Sequence, residues 1–287
     1  MKNLIRKIFS PSQRQQLYRC LDRSSLGFEK VGASVINVLP AGMKVFLRSH
    51  LKVVKEMDYP KERVLLNVSS SMENKVRLHS CRKEPETIQW IEVFFKDMDV
   101  FFDVGANVGA YSLVAAKHFK GKVSVYSFEP SFLNFPQLCT NIYLNQCSDS
   151  VIPFNIAFSN KTNLDFFNYR TLIVGGAMHS LGEAKDDFNE HFVPVFKQAM
   201  LSYTMDDFIQ EFNLPIPQHI KIDVDGNEWL ILQGAEKTLE SSKVKSILIE
   251  MVEGEKHIYD YILKKGFTLH QRFTQKDPRL SNCIFKK

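Results

Sequence analysis

The chain has 287 residues, with 37 Lys and Arg against 32 Asp and Glu, and is 44% hydrophobic and 12% aromatic. That composition excludes disordered and fibrous classes and leaves room for one large domain with an appendage. The net charge of +5 is unevenly placed: residues 1–58 hold 11 Lys and Arg against 4 acids, a net of +7, and the remaining 229 residues stand at −2.

From the N-terminus, Leu4, Ile5, Ile8 and Phe9 alternate with Lys2, Arg6 and Lys7, which makes a small basic amphipathic face. A solvated helix is the expectation there, with peripheral contact of residues 1–20 to an anionic membrane as the alternative. Neither a signal-peptide core nor a run of roughly 20 apolar residues follows. The chain therefore reads as cytoplasmic, with the inner face of the membrane as a second location. Cys20, Cys81, Cys139, Cys147 and Cys283 are odd in number and scattered, which argues against a disulfide framework or a structural zinc.

Residues 64–68 and 75–78 have strand-like composition around a polar turn and predict a hairpin. A helix opens at Glu84 with Pro85 in its first turn and an apolar stripe of Ile88, Ile91, Phe94 and Phe95. From Asp99 onward, short apolar runs alternate with helix-period segments, the pattern of βαβ units. Strands are predicted at 100–104, 123–128, 151–157, 219–224, 246–251, 268–273 and 282–286, and helices at 111–119, 133–144, 204–212, 229–239 and 257–264. No helix separates the last two strands, so they should form an antiparallel hairpin at one edge of a seven-stranded, mostly parallel sheet. The expected organisation is a basic helical and hairpin extension, 1–83, followed by an α/β domain, 84–287. Gly175, Gly176 and the segment up to His191 predict a mobile stretch over the site.

Three strand ends carry chemistry. The first, at residues 100–109, runs into a turn with Asp103, Gly105, Asn107 and Gly109. It lacks the G-x-G-x-x-G spacing of a pyrophosphate cradle, and the Asp103 carboxylate suits a cationic ligand group. The second strand ends at Glu129, where a carboxylate accepts both hydroxyls of a ribose. Together the two describe a nucleoside with a positively charged tail, which fits S-adenosylmethionine: Glu129 for the ribose, Asp103 and the glycine turn for the amino-acid end. The third strand ends in Asp223 and Asp225, with Glu228 opening the next helix. If that strand persists through Asp225, both aspartates point to one face. Helix capping by Asp225 or Asn227 and dipole complementation by Glu228 would account for one of these acids, not all three.

With those residues in place, residues 84–285 resemble the FkbM-type methyltransferase family, class I S-adenosylmethionine-dependent enzymes. FDVGANVGAYSL at 102–113 resembles its cofactor motif. FEP at 128–130, with Asn134, Asn141 and Asn145 on the next helix, resembles its ribose-binding segment. IKIDVDGNE at 220–228, LQGA at 232–235 and ILIE at 247–250 resemble the block that marks the family off, and EPETIQWI at 84–91 resembles a stretch upstream of it. Asp225 stands where the family often has Glu. The resemblance implies a Rossmann-like class I fold. It adds Tyr111, Ser112, Pro130, Asn134 and Ala157 to the cofactor set, and implies methyl transfer to a hydroxyl oxygen.

For that reaction Asp223 is the expected proton acceptor, with Asp225 or Glu228 as substitutes; His79 and His257 are the weaker candidates. A divalent metal held by the carboxylates is compatible but not favoured, and no metal ligand is assigned. The net −2 of the body speaks against nucleic acid as substrate. The expected acceptor is a sugar hydroxyl of a glycan, glycolipid or surface polysaccharide. The alternatives are a secondary metabolite and a non-enzymatic, membrane-docked binding protein.

Overall fold

A computed structural model of the chain describes residue 36 and residues 39–287. The membrane-contact expectation for residues 1–20 lies outside the described residues. Two compact units divide between Lys52 and Val53. In the first, helix α1 (Ala41–His50) carries exposed Met43, Val45 and Phe46. No helix among the described residues is long and apolar enough to cross a membrane.

The second unit opens with β1 (Val54–Glu56) and β2 (Leu65–Asn67), paired antiparallel. This corrects the predicted hairpin. Residues 71–75 form helix α2 (Ser71–Lys75), and Arg77–His79 form a 3₁₀ turn. A capping box is the reason: Ser70 accepts from Glu73 N, and the Glu73 carboxylate accepts from Ser70 N at 2.9 Å. The S-x-x-E spacing was in the sequence, and it outweighs strand-like composition. Helices α3 (Ser80–Lys83) and α4 (Pro85–Phe94) follow.

The remaining elements are β3 (Val100–Val104), α5 (Ala110–His118), β4 (Ser124–Phe128), α6 (Asn134–Leu144), β5 (Val151–Phe154), β6 (Ala157–Phe158), β7 (Asn163–Tyr169), β8 (Ser180–Leu181), β9 (Phe196–Tyr203), α7 (Met205–Glu211), β10 (His219–Ile222), α8 (Glu228–Gln233), α9 (Glu236–Glu240), β11 (Ser246–Val252), α10 (Lys256–Lys264), β12 (Thr268–Thr274) and β13 (Leu280–Lys286). Seven strands form one sheet in the order β12-β13-β11-β10-β3-β4-β5. All are parallel to β3 except β13, which runs antiparallel to both of its neighbours. The expected Rossmann-like sheet with its C-terminal antiparallel hairpin is therefore present.

Alternation along β3 sends Phe101 and Asp103 to one face and Phe102 and Val104 to the other. Phe101 packs with Trp90, Ile91, Leu113 and Leu138 of α4, α5 and α6. Phe102 and Val104 pack with Phe208, Ile231, Leu239 and Ile258 of α7 to α10. Helices cover both faces, which is why the central strands are almost uninterrupted apolar runs. One buried polar chain ties the first face together. Trp90 Nε1 donates to Ser246 Oγ at 2.8 Å, Ser246 Oγ meets His219 Nδ1 at 2.7 Å, and His219 Nε2 meets Asp99 Oδ2 at 3.0 Å. Burial pushes His219 down to about 4, so it is neutral and donates to Asp99.

The expected boundary at 83/84 does not coincide with the division into compact units. Met57, Tyr59, Val64, Leu66 and Leu78 are buried in the same core as Phe101 and Leu113. Asn141 of α6 and Asn145, which caps its C-terminus, accept from the β2 backbone at Asn67 N and Leu65 N, both at 2.8 Å, and so dock this segment onto the domain.

A second sheet, β6-β9-β7-β8, was not predicted. It replaces the end of the predicted 151–157 strand, because Ala157 and Phe158 leave β5 to pair with β9. The predicted 219–224 strand ends at Ile222, and the 229–239 helix breaks at Gly234. A Cβ there would lie 2.0 Å from the Ser159 carbonyl, and the Asp206 carboxylate accepts from Lys237 N and Thr238 N to start α9.

Candidate active site

Because β3, β4, β5 and β10 are parallel and in register, Val104, Phe128 and Ile222 end at the same edge of the sheet. The order of connections reverses between β3 and β10, and ligands in open α/β sheets bind at such a switch point, beyond the carboxyl ends. A cavity of about 320 Å³ lies there, the size of a small-molecule site.

At the β3 end, Gly105 has φ +83°, and a Cβ on it would stand 1.9 Å from the Asp223 carbonyl. Its glycine is required by close approach to the neighbouring strand end as well as by the turn. Asp103 does not face the cavity. It is 1% exposed, its Oδ2 accepts from Ser112 Oγ at 2.5 Å, and Ser112 Oγ meets Ser127 Oγ at 2.7 Å. Burial pushes the Asp103 pKa up against the pull of Lys221 and Ser112. The strand's own alternation turns this side chain under the helix α5 layer.

Glu129 lines the cavity. Its Oε2 accepts from Asn107 N at 2.8 Å and its Oε1 from Ser131 N at 3.0 Å. Each oxygen keeps a lone pair, so the carboxylate can still accept two adjacent hydroxyls. Burial raises its pKa to about 7 against those backbone bonds. Asn107, at φ +51°, and Asn134 both donate to the Gly176 carbonyl, at 2.8 and 3.2 Å, and both line the cavity. A small apolar annex of about 30 Å³ adjoins it, lined by Gly105, Pro130, Ala157, Phe158 and Phe167. These residues fit a nucleoside: a diol-accepting carboxylate, an asparagine Oδ1 at position 107 that is buried without a partner, and an apolar slot beside them.

At the β10 end, Lys221 is 1% exposed and its Nζ lies 2.5 Å from Asp223 Oδ2, while the Asp223 side chain is 31% exposed and reaches the cavity. Lys221 also stands 5.1 Å over the Tyr111 ring. Burial opposes ionisation of Asp223, but Lys221, with Lys83 and Arg77, outweighs it and holds the carboxyl below the usual range. Asp225 is not in the strand. At φ +56° its backbone turns, and its Oδ2 accepts from Met178 N at 2.5 Å. This overturns the expectation of a strand continuing through Asp225. Burial and the Asp223 charge raise its pKa to about 6. Glu228 is buried and accepts from Val224 N and Gly226 N at 3.3 and 3.1 Å, which closes the turn before α8.

Of the residues singled out from the sequence, Gly105, Asn107, Glu129, Pro130, Asn134, Asp223 and Asp225 line the cavity and Ala157 lines its annex. Asp103, Gly109, Tyr111, Ser112 and Glu228 stand behind them. His79 and His257 line neither space; His257 packs edge-on against Trp229 at 4.9 Å. Sequence reasoning missed Arg77, Lys83, His179, Asp187 and Glu250 in the wall, and Lys221 beneath it. For Lys221 there was a signal, a lysine inside an otherwise apolar strand. Asp187, whose pKa burial and neighbouring acids raise to about 7, comes from the segment expected to cover the site. His179 has its pKa lowered to about 4 by burial and is neutral, with Nδ1 accepting from Arg170 N at 3.3 Å. Among the described residues no group of three or more His, Cys, Asp or Glu could hold a metal ion.

The family model described as the methyltransferase FkbM domain matches residues 103–269. The hexuronic acid methyltransferase AglP of Haloferax volcanii is 23% identical over 184 residues, covering 64% of this chain and 69% of that protein. Among solved structures, M. jannaschii TYW2 in complex with AdoMet is 14% identical with a TM-score of 0.43, covering 82% of this chain and 86% of that one. Trm5b from Pyrococcus abyssi is 14% identical with a TM-score of 0.45, covering 82% and 55%. With the family match spanning more than half of its length, the chain belongs to the FkbM methyltransferase family and is an S-adenosylmethionine-dependent methyltransferase.

Proposed function

We propose that the enzyme methylates a hydroxyl oxygen of a sugar in a glycan, glycolipid or surface polysaccharide. The observation that carries this reading is the ring of carboxyl groups, Asp187, Asp223, Asp225 and Glu250, on the same cavity wall as Glu129. Such a surface accepts hydrogen bonds from many hydroxyls and offers little to an apolar acceptor. The hexuronic acid named for AglP belongs to the same class of acceptor.

Bound S-adenosylmethionine supplies an electrophilic methyl group whose leaving group needs no acid. The chain's own residues hold the ribose at Glu129, place the base in the slot between Pro130 and Ala157, and align the acceptor oxygen. Positioning of this kind lowers the barrier by several kcal/mol. Asp225 takes the hydroxyl proton. Its pKa of about 6 leaves it ionised at neutral pH yet basic enough to accept a proton, whereas Lys221 keeps Asp223 a weaker base. Asp187 and Glu250 bind acceptor hydroxyls, and Glu228 holds the turn that presents Asp225. The basic residues 1–58 suit work beside an anionic, lipid-linked sugar at the inner face of the membrane.

Two measurements test this. Calorimetry with S-adenosylhomocysteine should show binding by the wild type that is lost in Glu129→Ala. Radiolabelled methyl transfer to a panel of sugar nucleotides, glycolipids and oligosaccharides should find the acceptor among them, and transfer to apolar acceptors alone would overturn the sugar assignment.

A further inference from the structure

The cavity wall is strongly acidic: Glu129, Asp187, Asp223, Asp225, Glu250 and Asp277 all contribute carboxyl groups. The cationic side chains that line it are Arg77 and Lys83, and both come from the short stretch spanning the 3₁₀ turn and α3. A ligand carboxylate entering this space meets positive charge beside these two, whereas Asp223 and Asp277, whose pKa values are lowered, repel it. Resting on the cofactor assignment above, we propose that Arg77 and Lys83 form a carboxylate-binding subsite.

Arg77 is anchored for the task. Its Nε donates to the Gly175 carbonyl at 2.9 Å, which fixes the guanidinium at the wall and leaves the rest of its donor fork for a carboxylate. Gly175 N in turn donates to Asn134 Oδ1 at 2.8 Å, so the anchor is tied to the ribose side of the cavity. The charge of Arg77 is felt at Glu129 on that side and at Asp223 and Asp225 on the other, which places it between the two. Lys83 shares its ammonium with Glu84 Oε1 at 2.6 Å, so Arg77 is the larger contributor.

Two ligands bring a carboxylate here: the amino-acid end of the cofactor and an acidic sugar. The geometry favours the first, because Arg77 is tied through Gly175 to Asn134 on the ribose side of the cavity. An ammonium beside Asp223 and a carboxylate beside Arg77 then complement both ends of one zwitterion.

Calorimetry of the full chain with S-adenosylmethionine and with decarboxylated S-adenosylmethionine, which differ by the carboxylate, separates the possibilities. The wild type should bind the first about ten- to hundred-fold more tightly, as expected for loss of a charge-assisted bond. Arg77→Gln should close that gap by weakening S-adenosylmethionine alone, and Lys83→Gln should close it in part. Unchanged binding of the decarboxylated ligand shows that each variant is folded. Glucuronate and glucose, titrated into protein loaded with S-adenosylhomocysteine, form the second arm. A preference for glucuronate that disappears in Arg77→Gln, with no cofactor gap, assigns the same subsite to the acceptor. Variants that weaken both cofactor ligands equally, or change neither pair, overturn the subsite. A wild type that binds neither cofactor ligand overturns the cofactor reading itself.

Discussion

Asp223 and Asp225 are near neighbours in the chain, and their carboxyls shift in opposite directions. Burial acts on both, but Asp223 meets the Lys221 ammonium at 2.5 Å, while Asp225 meets the Asp223 charge. A proton acceptor needs a pKa near the working pH, so of these two aspartates the one proposed for that role is Asp225. The wild-type turnover should rise with pH through about 6, as Asp225 ionises, and then level. Asp225→Asn should lower kcat by about 100-fold or more and remove that acidic limb, with affinity for S-adenosylhomocysteine unchanged. A full pH–rate profile of both proteins checks this, and an acidic limb that survives in the variant would move the base elsewhere. Both aspartates were legible as a cluster from their spacing at a strand end. Their division of labour was not, because it depends on Lys221 and on a left-handed backbone at Asp225, neither of which spacing reveals.

At the scale of elements, Glu228 shows how a turn is held at a cost. Its carboxylate satisfies two backbone N–H groups ahead of α8, yet burial and neighbouring acids raise its pKa to about 8 from an ordinary 4.5. Between those two values the unfolded chain has released the proton and the folded chain retains it. Stability from this group is therefore greatest at low pH and is lost as pH rises through the window. Glu228→Gln should flatten that dependence, so the difference in Tm between variant and wild type should move in the variant's favour by several degrees from pH 5 to pH 8. Thermal unfolding at a series of pH values measures it, and parallel curves would contradict the assignment. The elements themselves were readable where the chain's period and turn residues agreed, as in β3, α5, β4 and β10. They were misread at residues 75–78, where a capping box overrode strand-like composition, and at 157–203, where short strands pair with each other outside the main sheet.

At the scale of the molecule, the segment 53–83 belongs with the catalytic domain. Met57, Tyr59, Val64, Leu66 and Leu78 are all at most 4% exposed. Burying each is worth about 1.5–3 kcal/mol. Their combined loss would consume most of a net stability of about 5–15 kcal/mol. Deleting residues 1–52 should leave a folded protein with unchanged affinity for S-adenosylhomocysteine. Deleting residues 1–83 should abolish cooperative unfolding and cofactor binding together. Circular dichroism melts and calorimetry on the two truncations compare them, and a folded, cofactor-binding 84–287 fragment would show the shorter domain to be sufficient.

The mostly parallel sheet of seven strands, the antiparallel hairpin at its edge and the family of the chain were already legible in the sequence. Those features rest on contiguous signals: apolar period, turn glycines, and acids at strand ends. Which side chains line the cavity emerges only in the tertiary structure. Asp103 turns under α5, Glu228 folds back on its own turn, and Arg77 reaches the wall through the Gly175 carbonyl, 98 residues away in the chain. Contacts of that kind join segments whose local sequences carry no record of each other, so they exist only once the chain has folded.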